Sequence, residues 1–212
     1  MSARYVDHPL QAGDLAPNLV LDAISHQGKI ALDDFRGRSP LLIGLFRGLH
    51  CAFCRRHVAA MAQLNPALRE KGVQSLAVVN TPVERARLYF RYHPLPGILA
   101  ASDPVRASHR AFGLPEIATD AVMAILIDLP GELPEPMGVF EMDEFLNRKE
   151  GYEITESDQQ MMTSSQEQLA GQFLIDRDGV VRWSFTEVLE GGLQTFKAPN
   201  PEELMSAASK IA

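Results

Sequence analysis

Apolar residues run unbroken through Leu41, Leu42, Ile43, Gly44, Leu45 and Phe46, the length and continuity of a strand buried on both faces. Beyond it the period changes. From Cys51 to about Glu70 the apolar positions Cys54, Val58, Met61, Leu64 and Leu68 recur at steps of three and four, one face of a helix that Gly72 ends. Residues 73–79 then predict a second buried strand, 82–92 a helix with proline at its start, 98–101 a short strand and 104–112 another helix. This β-α-β-α-β-α alternation calls for a mainly parallel sheet with helices on its faces and right-handed crossovers.

Antiparallel pieces flank that unit. Gly13-Asp14-Leu15-Ala16-Pro17 reads as a loop, 18–21 and 26–30 as a short hairpin around Gly28, and Leu32-Asp33-Asp34-Phe35 as a brief turn. Residues 172–176 and 180–185, joined at Asp178-Gly179, read as a second hairpin, and a last helix starts near Pro201. Between Leu114 and Ala170 the repeating pattern stops, in a stretch holding Pro115, Pro130, Pro134 and Pro136 and then a polar, acidic run. We read 114–170 as an insertion, with 141–149 an amphipathic helix and 155–168 a second helix or a mobile piece. Its apolar cluster Val122, Met123, Ile125, Leu126, Ile127 and Leu129 reads as a strand or helix packed on the parent domain. The 212 residues, 46% of them hydrophobic, suffice for one sizeable core. The expected organisation is a single α/β domain over 1–212 that carries the insertion.

A net charge of −7 and a pI near 5.4 argue against a phosphate-backbone binder, so nucleic acid is not an expected partner. Residues 1–16 lack the basic start and apolar run of a signal peptide. No stretch approaches the ~18–20 apolar residues of a membrane span. A cytoplasmic location is expected, with no membrane partner. Two cysteines so close together in a reducing compartment are not a framework of long-range staples; the spacing points to redox or metal chemistry.

Cys51-Ala52-Phe53-Cys54 follows a buried strand and opens a helix. Unpaired N–H groups and the positive end of the helix dipole favour a thiolate at the first cysteine. Cys51 is thus the natural nucleophile, and Cys54, one turn on and on the apolar stripe, the natural resolving thiol. Arg47 and His50 are the candidates to stabilise the Cys51 thiolate. Arg55 and Arg56 read as solvating the outer helix face, His57 as a surface or packing histidine, and Trp183 as a core or edge aromatic. A zinc site of Cys51, Cys54, His50 and His57 competes with this reading, but no second CxxC or well-spaced Cys/His pair accompanies it. Two inert core cysteines would be a third account, which the strand-loop-CxxC-helix context disfavours.

Several segments together resemble the alkyl hydroperoxide reductase/thiol-specific antioxidant (AhpC/TSA) family. They are the Gly13–Pro17 opening, the Gly28 hairpin, Leu32-Asp33-Asp34-Phe35-Arg36-Gly37, the run from Phe46 through Cys51 to Arg55, and Phe173-Leu174-Ile175-Asp176-Arg177-Asp178-Gly179. The resemblance covers roughly residues 12–112 and 168–187. It implies a thioredoxin-like fold, a central mixed sheet flanked by helices with an N-terminal hairpin and the insertion before the late hairpin, and a peroxidatic role for Cys51. The sequence departs from the family's usual pattern at three positions. Gly44 stands where a proline is usual, Gly48 where a threonine or serine hydroxyl helps to hold peroxide, and Ala170 near where an arginine or a cis-proline is expected. Arg47-Gly48-Leu49-His50-Cys51-Ala52-Phe53-Cys54 is similar instead to the Arg-Gly-x-x-Cys-x-x-Cys pattern of the peroxiredoxin-like branch.

The resemblance and the residues agree on a thiol-dependent antioxidant oxidoreductase. It would cycle Cys51 and Cys54, need no bound cofactor or metal, and draw on a dithiol reductant such as the thioredoxin or glutathione system. Peroxide and disulfide substrates both fit, the absent hydroxyl and arginine tilting slightly toward disulfides. The alternative from another class is a redox-sensing or binding module whose disulfide switches a surface of the insertion. Homodimerisation through the insertion or a sheet edge is compatible with either.

Overall fold

A computed structural model of the chain describes residues 8–165, 168–187, 192–195 and 198–211. The N-terminal reading for residues 1–7 and the end of the expected 155–168 helix at 166–167 lie outside them. The chain runs β1 (Val20–Ala23), β2 (Lys29–Ala31), β3 (Leu41–Phe46), α1 (Ala52–Glu70), β4 (Gln74–Val79), α2 (Val83–Tyr92), β5 (Leu99–Ser102) and α3 (Ala107–Ala111). It continues through α4 (Thr119–Met123), β6 (Ile125–Asp128), β7 (Met137–Gly138), α5 (Val139–Glu150) and α6 (Glu156–Ser165). Then come β8 (Gly171–Ile175), β9 (Val181–Thr186), β10 (Gly192–Thr195) and α7 (Pro201–Ser209).

Seven strands form one mixed sheet in the order β2-β1-β5-β4-β3-β8-β9, flanked by helices. Within this sheet only the β3–β4 and β4–β5 pairings, those of the alternating unit, are parallel, so the sheet as a whole is mixed rather than mainly parallel. The two hairpins account for the difference, because β1 joins β5 and β8 joins β3 antiparallel on either side of the parallel unit.

The unbroken apolar run of β3 follows from its central place. Leu42 and Phe46 enter one core with Val58, Met61 and Leu68 of α1, while Leu41, Ile43 and Leu45 enter the other with Phe112 and Phe173. Successive side chains of a strand point to opposite faces, so both faces need apolar residues here. Each fully buried Leu, Phe or Met contributes about 1.5–3 kcal/mol of burial.

The 114–170 segment is built onto the α1 face. Met142 and Leu146 of α5 join the same core as Met61 and Leu68. The expected 141–149 helix is part of α5, and α6 lies within 155–168. Of the apolar cluster, Val122, Ile125 and Ile127 are buried, whereas Met123 and Leu126 are exposed. Strand β6 forms a small sheet with β7 and, in parallel, with β10, a strand the sequence pattern did not indicate. Among the described residues no helix is long and apolar enough to cross a membrane.

Candidate active site

Strand β3 delivers the chain to a tight loop at its carboxyl end, and the loop delivers Cys51 to the N-terminus of α1. Cys51 N–H donates to Gly48 O at 3.1 Å, and Leu49 N–H to Thr81 Oγ1 at 2.9 Å. The loop carbonyls are held from the helix side. Arg55 Nη1 donates to Leu49 O at 2.7 Å and to His50 O at 3.2 Å, and Asn147 Nδ2 donates to His50 O at 2.9 Å.

Cys51 is the N-cap of α1, and its Sγ accepts from Cys54 N–H at 3.2 Å. A sulfur in that position satisfies one of the helix's orphan donors and feels the positive end of its dipole. Both cysteines are free thiols, with Cys51 5% and Cys54 2% exposed. Burial works against the Cys51 thiolate, but the hydrogen bond from the Cys54 side chain and then the charge of Arg47 outweigh it, and its pKa falls below the ordinary value. For Cys54, burial is the largest effect, and the hydrogen bond and charge of Cys51 add to it, pushing its pKa well up. The two thiols are therefore poised as a thiolate donor-acceptor pair with unequal acidity.

Arg47 is the cation beside this pair. It makes a two-pronged ion pair with Glu187, Nη1 to Oε2 at 2.7 Å and Nη2 to Oε1 at 2.9 Å, and Nη1 also donates to Gln168 O. Glu187 Oε2 in turn accepts from Ala170 N–H at 3.1 Å. Ala170 lacks an arginine side chain, yet a guanidinium lies next to this stretch of backbone, supplied by Arg47 from the end of β3. Sequence reasoning missed Glu187, which follows β9 directly and would have read as a strand-end residue in solvent.

His50 is 4% exposed, and burial lowers its pKa to about 4. At neutral pH burial thus favours the uncharged imidazole, which leaves Arg47 as the cation beside the thiolate. Its ring also explains Gly48. A Cβ on Gly48 would stand 2.5 Å from His50 Nδ1 and 2.6 Å from Cε1, so the imidazole occupies the space of a side chain at 48. Gly44 is explained similarly, since a Cβ there would meet the Phe46 ring at 2.5 Å and Met61 sulfur at 2.7 Å. Gly48→Thr is accordingly expected to cost about 1–3 kcal/mol by overpacking without speeding oxidation of Cys51. Urea unfolding checks this, with the Gly48→Thr/His50→Gly double variant expected to recover most of the loss; an undisturbed Gly48→Thr midpoint would remove the steric account.

Arg55 does not solvate an outer face. Its side chain is 6% exposed and pairs with Glu150 at 2.6 Å while holding the loop carbonyls, because α5 covers that side of α1. Arg56 is partly exposed and paired with Glu132 and Glu150. His57 is a buried packing residue near Phe46 and Phe185. Trp183 is partly buried on the edge strand β9. Among the described residues no group of three or more His, Cys, Asp or Glu could hold a metal ion.

A cavity of ≈ 60 Å³ opens at Cys51, room for a few water-sized molecules. Its polar wall is Arg47, His50, Cys51, Asp143 and Glu187. The 114–170 segment supplies apolar wall from Val122, Ile127, Val139, Phe140 and Met142, opposite Phe53 of α1. Asp143 comes from α5, and its Oδ1 accepts from Ala52 N–H at 2.8 Å, at the residue next to Cys51. Asp143, Asn147 and Glu150 recur at helical spacing on α5, a polar stripe that sequence alone assigns to solvent and that here faces the start of α1.

The fold has many relatives of low identity. The BcpB peroxidoxin of Mycobacterium tuberculosis is 11% identical, with a TM-score of 0.59 over 96% of this chain and 99% of that one. The reduced 2-Cys peroxiredoxin of Plasmodium vivax is 15% identical, with a TM-score of 0.58 over 94% and 81%. A putative thiol:disulfide interchange protein DsbE of Chlorobium tepidum is 20% identical, with a TM-score of 0.50 over 93% and 95%. Such identities speak for the thioredoxin-like fold. No curated protein matches the sequence. The AhpC/TSA family model matches residues 12–184, from the opening loop into β9. With the Cys51–Cys54 pair at the head of α1 and a family match over most of its length, this chain belongs to the AhpC/TSA family.

Proposed function

We propose that the chain is a thiol-dependent antioxidant oxidoreductase whose Cys51 and Cys54 cycle between dithiol and disulfide. One observation carries the reading: Cys51 Sγ caps α1, accepts from Cys54 N–H and has Arg47 beside it, while Cys54 sits one turn behind with the higher pKa. Membership of the AhpC/TSA family supports thiol-dependent redox chemistry in general. In our reading the Cys51 thiolate attacks a peroxide oxygen and becomes a sulfenic acid. Cys54 then displaces water to close the disulfide, and a thiol donor of the thioredoxin or glutathione type reopens it.

The cavity favours a small peroxide over a protein disulfide, because a polypeptide could not reach Cys51, 5% exposed, without displacing the residues that roof it. We read residues 1–212 as one domain and 114–170 as an insertion that closes over Cys51, working in a reducing compartment such as the cytoplasm. The test is to mix reduced protein with hydrogen peroxide in a stopped-flow instrument and follow intact mass. Oxidation far faster than that of a free thiol, ending in an intramolecular disulfide that thioredoxin reduces, is expected. A rate no better than a free thiol's would sink the peroxidase reading. Oxidation with no recycling by any thiol donor would favour the redox-sensing alternative.

A further inference from the structure

Breaking an O–O bond leaves an alkoxide or hydroxide, and the departing oxygen needs a proton from a group on the cavity wall. We propose that Asp143 is that group, the general acid for peroxide cleavage at Cys51; the inference rests on the peroxidase reading above. Asp143 lines the same cavity as Cys51 and is anchored one residue away through Ala52 N–H. That bond uses Oδ1, and the contact of Oδ2 with Asn147 Nδ2 is long, 3.5 Å.

The other polar groups on the wall are unsuited. Arg47 does not give up its proton near neutrality. Glu187 is held ionised: burial opposes the charge, but Arg47 and the Ala170 N–H more than offset it and lower the pKa. Burial holds His50 as the neutral imidazole at neutral pH, whose remaining ring N–H is a hydrogen-bond donor and far too weak an acid for the task. Asp143 differs in having no guanidinium hydrogen-bonded to it among the described contacts. Burial raises its pKa, against the Ala52 N–H and the charges of Arg47 and Arg55, and with help from Glu150.

The cycle balances. The Cys51 thiolate bonds to the terminal, hydrogen-bearing oxygen of ROOH, the O–O bond breaks, and RO⁻ takes the Asp143 proton to leave as ROH. Sulfur is oxidised to the sulfenic acid and the peroxide is reduced. Cys54–SH then forms the S–S bond, its proton leaving with the sulfenic hydroxyl as water. A dithiol reduces the disulfide, one of its two protons returning to Cys54 and the other to Asp143.

Asp143→Asn separates this role from electrostatics. The charge of Asp143 raises the pKa of Cys51, so a purely electrostatic Asp143 predicts more thiolate and equal or faster oxidation in the variant. As the general acid, its loss is expected to slow oxidation by hydrogen peroxide about a hundredfold per thiolate and to abolish the fall in per-thiolate rate as pH rises through the Asp143 pKa. Alkylation of Cys51 by iodoacetamide, whose iodide leaves without a proton, is expected to hold its rate. Thiolate content is read from absorbance at 240 nm. If both reactions slow together, Asp143 merely shapes the site, and if neither slows it has no part in cleavage; either result overturns the inference. Failure of the peroxidase reading itself would appear separately, as a wild-type protein no faster than a free thiol.

Discussion

Replacing Arg47 with methionine is expected to remove about 3–5 kcal/mol of folding stability and to slow oxidation of Cys51 at neutral pH about tenfold or more. Both effects have one origin. Glu187 is 5% exposed and meets Arg47 through two hydrogen bonds; without the guanidinium it is an uncompensated buried charge. The pH dependence gives the signature. In the wild type the Glu187 pKa lies below its ordinary value of 4.5, so its contribution to stability is present above that value and is lost as pH falls through the folded pKa. In Arg47→Met burial dominates and the folded pKa lies above the ordinary value, so ionised Glu187 opposes folding near neutrality and the penalty disappears as acid protonates it. Urea unfolding of both proteins from pH 7 to 4 should show the deficit shrinking, and Arg47→Met/Glu187→Leu should recover most of it. A deficit independent of pH would mean that the pair is not its source. The kinetic effect has a separate readout, since Arg47 also lowers the Cys51 pKa and each unit regained cuts the thiolate fraction about tenfold.

The parts of this site that were legible in the sequence are those whose signal is local. An apolar run fixes β3, a 3.6-residue period fixes α1, and the break between them puts Cys51 at a helix start. What was hidden depends on chain that returns from far away. Glu187 meets Arg47 across 140 residues and Asp143 meets Ala52 across 91, and no periodicity announces either. Arg55 and the Asp143–Asn147–Glu150 stripe were misleading for the same reason. A polar helix face is normally solvated, but here two such faces pack on one another around the loop before Cys51. The glycines form an intermediate case. Gly44 and Gly48 stood out as departures in the sequence, yet only the placement of the Phe46 and His50 rings gives the reason.

The two cysteines are expected to respond unequally to substitution, and in a way their spacing alone does not indicate. Cys51→Ser leaves Cys54, 2% exposed with a pKa pushed well up by burial. Removing Cys51 takes away the charge that helps to hold Cys54 neutral, but burial, the larger effect, remains. The variant is therefore expected to react with peroxide on the order of 10³ more slowly than wild type, through loss of thiolate and access. Cys54 variants should still undergo the first oxidation and stop at the Cys51 sulfenic acid, which dimedone labels and intact mass detects. They should also differ from each other. The Cys54 side chain is the largest single influence lowering the Cys51 pKa, a donor that serine retains and alanine abolishes. The Cys51 pKa should thus be highest in Cys54→Ala, with Cys54→Ser nearer the wild type, by titration of absorbance at 240 nm. Equal pKa values in all three proteins would leave Arg47 and the helix N-terminus as the whole source of activation, and would make Cys54 a resolving thiol that has no part in preparing its partner.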